Sequence, residues 1–148
     1  MSLIDRALRG EPLEPPILRV PDAIASILVA SVAADGDLNP EEAIRLNSIL
    51  STTRVLREAG NGSMQGLADR AIGLLTDYGL PAVLVACAKA IPVDLRPTTF
   101  ALATDLVLAD GRIGDREKIF IDELQAALDI DDATARKIVD VLLIKNRG

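Results

Sequence analysis

The sequence predicts an all-α protein: about seven helices in a compact bundle, with one helix-loop-helix unit written twice. Three observations carry this reading. Hydrophobic residues make up 49% of the 148-residue chain while aromatics make up 2%, so Ala, Leu, Ile and Val must build the core, and the aromatic alternation that favours strands is missing. Apolar residues recur at helical spacing through most of the chain. Pro and Gly interrupt that spacing at intervals of a helix length.

Each element follows from this punctuation. Residues 10–21, "GEPLEPPILRVP", carry four Pro and predict an extended leader, so the chain divides into a leader over 1–20 and a helical domain over 21–148. "DRALRGE" before it reads as a frayed terminal helix rather than an arm that docks on a partner. Pro21 suits the first helical position, and Ile24, Ile27, Leu28, Ser31 and Val32 follow at helical spacing. A second helix is expected over 40–53 with Ile44, Leu46, Ile49 and Leu50 inward. "EAGNGS" is a turn, and a third helix runs over 63–78 to Gly79. Pro81 opens a fourth through Ile91, apolar almost all round and therefore expected at the centre. After the break "PVDLRP", helices are expected over 97–109, 115–128 and 132–145. Asp131 and Asp132 cap the last of these, and Lys145 and Arg147 complement its dipole.

Composition excludes several functions. The chain has no His, which removes the Ser-His-Asp triad, Cys-His nucleophiles and His-ligated zinc. A net charge of −6 opposes phosphate backbones and anionic lipid, and one Tyr, two Phe and no Trp give bases nothing to stack on. Nucleic acid is therefore not an expected partner. "MSLIDRALRGEPLEPP" lacks an apolar signal core and no apolar run spans a bilayer, which points to the cytoplasm. Cys87, the only Cys, sits within "AVLVACAKAI" and reads as a small buried core residue. "GNGSMQG" has neither a preceding strand nor a Lys-Ser/Thr pair and reads as a turn, not a phosphate loop.

The remaining signal is a duplication. "AADGDLNPEEAI" from Ala33 and "LADGRIGDREKI" from Leu108 lie 75 positions apart. At that offset Ile27 falls on Leu102, Val32 on Val107, Leu38 on Ile113, Ile44 on Ile119, Leu46 on Ile121 and Ile49 on Leu124. Equivalent residues at one offset imply two hairpins that bury the same kind of face. Much of the motif needs no ligand. Gly36 and Gly111 suit helix termination, Leu38 and Ile113 tuck the loop into the core, and Asn39-Pro40-Glu41-Glu42 reads as a capping box. Gly114 and Glu117 repeat the box in the second copy.

Asp35 and Asp110 are harder to place. Each follows a helix C-terminus, where a carboxylate is unfavourable by roughly 0.3–1 kcal/mol. Either backbone amides of the next turn satisfy it, or a cation lies between each Asp and the Glu that returns seven positions later, Glu42 or Glu117. The first copy offers Asp35, Asp37, Asn39, Glu41 and Glu42. The second is poorer, with Arg112, Gly114 and Arg116 at the positions of Asp37, Asn39 and Glu41. Neither is an EF-hand, since Leu46 stands where that loop needs a bidentate Glu.

Paired A-D-G-x-[LI]-x-x-x-E copies in a helical chain of this size resemble the TerB family of tellurite-resistance-like proteins. The resemblance covers residues 21–145. It implies an all-helical bundle, a divalent-cation site built from paired acidic residues, and a part in bacterial responses to tellurite and other chemical stress. Carried onto this chain it points to Asp35 and Glu42 with Asp110 and Glu117, and it tips the two readings of the acidic motif towards a cation. The expected protein is then non-enzymatic and cytoplasmic. It holds Ca²⁺, Mg²⁺ or Mn²⁺ through Asp35, Asp37, Asn39, Glu42, Asp110 and Glu117, has no organic cofactor, and acts through a protein partner or a second copy of itself. The alternative is a structural interaction module whose acidic motifs only cap helices.

Overall fold

A computed structural model describes residues 2–10, 14–34, 40–57, 64–109 and 113–147. Among the described residues there is no strand, and seven helices exceed ten residues: α2 (Val20–Ala33), α3 (Pro40–Thr52), α5 (Met64–Tyr78), α6 (Leu80–Ala90), α7 (Arg96–Val107), α8 (Asp115–Ala127) and α9 (Asp132–Lys145). Two short helices join them, α1 (Leu3–Leu8) and α4 (Arg54–Arg57), with a 3₁₀ turn at Val93–Leu95. The all-α bundle expected from composition and periodicity is the observed fold.

Local chemistry explains the short N-terminal helix. The Ser2 hydroxyl accepts from the Asp5 amide at 3.1 Å while an Asp5 carboxylate oxygen accepts from the Ser2 amide at 3.3 Å, a reciprocal cap that satisfies two of the free amides of a helix start. Residues 14–19 are non-helical, as Pro15 and Pro16 require. Helix α2 then begins at Val20, one residue before the expected start, with Pro21 in its first turn. Between α3 and the turn predicted at 58–63, which lies outside the described residues, stands α4, a four-residue helix that the sequence reading left unassigned.

The centre of the bundle is α2, not α6. Every residue from Ala23 to Val32 is buried, and α2 packs against α3, α4, α5, α6 and α7. Both helices are apolar on most faces, but α6 leaves Val85 55% exposed and Lys89 exposed. Their difference lies in neighbours: among the described residues α6 packs chiefly against α2, α5 and α8. Buried serines let α2 run unbroken through the core, because the Ser26 hydroxyl donates to the Asp22 carbonyl at 2.7 Å and Ser31 to the Ile27 carbonyl at 2.8 Å.

Around α2 the second half of the chain packs through α7, which also touches α3, α8 and α9. The first helices of the two duplicated units, α2 and α7, are thus in direct contact. Of the six pairs related by the 75-residue offset, Leu38 lies outside the described residues, and burial agrees at two of the other five, since Leu102 and Ile121 are half-buried where Ile27 and Leu46 are buried. Val32 and Val107 are both buried, and Ile44 and Ile119 are 69% and 57% exposed. Ile49 is half-buried where Leu124 is fully buried. The expectation that Ile44 points inward is therefore corrected: on α3 the buried stripe is Leu46 and Leu50, and Ile44 lies off it. Ile113, expected to tuck into the core, is 38% exposed.

Gly79 joins α5 to α6. Its amide closes α5 on the Leu75 carbonyl at 3.0 Å, and its φ of 83° and ψ of 157° make the corner that starts α6. An added Cβ would meet nothing nearer than the Pro81 ring at 4.0 Å, so conformation rather than space selects Gly here.

Candidate cation motifs at two helix junctions

Each copy of the acidic motif spans a junction between consecutive long helices, the first between α2 and α3, the second between α7 and α8. Asp35, Asp37, Asn39 and Asp110 lie outside the described residues. Glu42 is the third residue of α3, which is the position the capping-box reading assigned to it; its side chain also lies outside the described set. Gly36, Leu38 and Gly111 fall outside it as well.

The second junction is described on both sides of its loop. After Val107, the Leu108 amide bonds the Thr104 carbonyl at 2.9 Å and the Ala109 amide bonds the Leu106 carbonyl at 3.3 Å, a tightening last turn. Chain direction is restored at Gly114, the N-cap of α8, with φ −79° and ψ 168°. Its amide donates to Glu117 Oε1 at 3.0 Å. Glu117 is buried to 8% exposure, and a carboxylate can tolerate this because it faces the amide-rich, partially positive start of its own helix.

Glu117 is therefore a cap, as its sequence position predicted. The Gly114 amide engages one of its two carboxylate oxygens, Oε1. Among the described residues, no group of three or more His, Cys, Asp or Glu converges as a metal-ligand set.

Two polar clusters escaped the sequence reading. Asp105, on α7, accepts from the Lys145 ammonium at 3.1 and 3.2 Å and from the Asn146 side-chain amide at 2.8 Å, while Arg45 lies 3.7 Å away and also donates to Asn146 at 3.1 Å. These contacts tie α3, α7 and the end of α9 together. Lys145 thus has a specific carboxylate partner in addition to the helix end it was expected to complement. Asp22 accepts from Arg70 at 2.8 Å and Arg19 at 3.2 Å, fixing the start of α2 to α5. A signal existed for Asp105, the single acidic residue of α7, but its partner is 40 positions away and only the fold supplies it.

Cys87 is fully buried, its thiol donates to the Ala23 carbonyl at 3.3 Å, and burial pushes it up to about 12. A thiol so held stays protonated and unreactive, which bears out the core reading. Of the pair read as capping α9, Asp131 is the N-cap, while Asp132 is the first helical residue and accepts from the Gln125 side-chain amide at 2.7 Å. The Thr134 hydroxyl and amide donate to Asp131 at 2.7 and 3.0 Å and hold its carboxyl below the ordinary value.

An apolar cleft of about 340 Å³ lies between residues 14–18 and α6, lined by Pro15, Pro16, Leu18, Val85 and Ala86 with Glu14 and Lys89 at its edge. A shallow groove of about 520 Å³ runs between α8 and α9 over Phe100, Ile121 and Val139. No helix among the described residues is long and apolar enough to cross a membrane. No family model, curated protein or solved structure matches this chain.

Proposed function

We propose that this protein is a TerB-like, non-enzymatic stress-response protein that holds a divalent cation, Ca²⁺, Mg²⁺ or Mn²⁺, in its duplicated D-G loops and acts through a protein partner in the cytoplasm. One observation carries the reading. The same acidic motif recurs at two junctions between long helices, each time with an Asp following a helix C-terminus that disfavours it and a Glu opening the next helix. A cation between them relieves the dipole conflict and the mutual repulsion of the carboxylates together.

The test is isothermal titration of chelator-treated protein with each cation, joined to thermal melts. Binding is expected for at least one cation, with a rise in Tm, since a ligand selective for the native state stabilises it by about 2.7 kcal/mol at one hundred times Kd. Asp35→Asn should weaken binding more than Asp110→Asn, because Asp37, Asn39 and Glu41 add oxygens that Arg112, Gly114 and Arg116 do not. Glu117→Gln keeps an oxygen for the Gly114 amide and should retain the fold while losing affinity. Absence of heat and of any Tm shift with all three cations would overturn the proposal.

The cap observed at Glu117 favours one second reading, a structural interaction module whose acidic residues terminate and start helices. On that reading Glu117→Gln is silent in the titration, and metal shifts the melting of neither parent nor variant.

A further inference from the structure

We draw no further inference here: the strongest candidate, the apolar cleft between residues 14–18 and α6, carries nothing, because Glu14 and Lys89 at its edge select no ligand charge between them and nothing in the structure shows what covers it.

Discussion

Single buried polar groups in this core are resolved in different ways, and two of them make measurable claims. Cys87 is satisfied and protonated. Its thiol is raised from 9.0 to about 12, so below pH 9 it is neutral in the folded and unfolded chains alike and does not bias folding. Above pH 9 the unfolded thiol ionises while the folded one resists, and stability is lost as pH rises through 12. Urea titrations across that window should show the loss in the parent and a smaller one in Cys87→Ala. In the native protein at pH 8, iodoacetamide should alkylate Cys87 far more slowly than in urea. Thr104 is the opposite case. Its hydroxyl is buried, on a residue 2% exposed, and finds no hydrogen-bond partner among the described residues. A buried unpaired hydroxyl costs about 1–3 kcal/mol, so Thr104→Val should raise the unfolding free energy by about 1 kcal/mol. A variant less stable than the parent would show that the hydroxyl is satisfied.

At the scale of helices, the ends decide more than the middles. Helix α9 starts on a side-chain cap at Asp131 and finishes on the Asp105 cluster. Between these it presents Val141 and Ile144 to the outside, 62% and 67% exposed, so apolar burial alone anchors it weakly. The Asp105 side chain is 17% exposed. It therefore escapes much of the screening that makes surface ion pairs nearly worthless, although its partners Arg45 and Lys145 are far more open and reduce the gain. Asp105→Ala leaves Arg45 and Lys145 facing each other without a counter-charge, and should cost about 1–2 kcal/mol. The loss should be local first. Amide exchange is expected to quicken at Leu142–Asn146, the last turn of α9, before it changes in α2. Uniform acceleration across the chain would mean that the cluster holds the whole bundle rather than one helix end.

For the whole molecule, stability is concentrated on one helix. Because α2 touches five of the other helices, truncating it disturbs most of the core at once. Leu28 is 0% exposed, and Leu28→Ala should cost about 3 kcal/mol through lost transfer energy and the cavity left behind. Ile44, 69% exposed on α3, should change stability by less than about 0.5 kcal/mol when replaced by Ala. Guanidinium unfolding of the two variants measures this contrast. A similar loss at both sites would place Ile44 in the core, as its spacing first suggested, and overturn the observed register of α3. The amides of α2 should also be the slowest in the chain to exchange.

The sequence by itself determined the elements: Pro and Gly punctuation located the seven long helices to within a few residues, because helix ends obey local rules of capping and φ. The same local chemistry placed Glu117 at the third helical position of α8 and Asp131 at the cap of α9. The duplicated motif was legible for the same reason, since it sits where one helix stops and the next begins. Rank among the helices was not legible. Both α2 and α6 are apolar on most faces, and periodicity reports how much surface a helix can bury without saying which neighbours will cover it. Nor does it say whether a flanking Ile, such as Ile44 or Ile119, falls inside or outside the buried stripe, because one residue of helix rotates a side chain by about 100°. The Asp105 partners were illegible for a related reason. Pairing across 40 or more positions depends on how α3, α7 and α9 pack, and only the tertiary structure brings Arg45, Lys145 and Asn146 to one carboxylate.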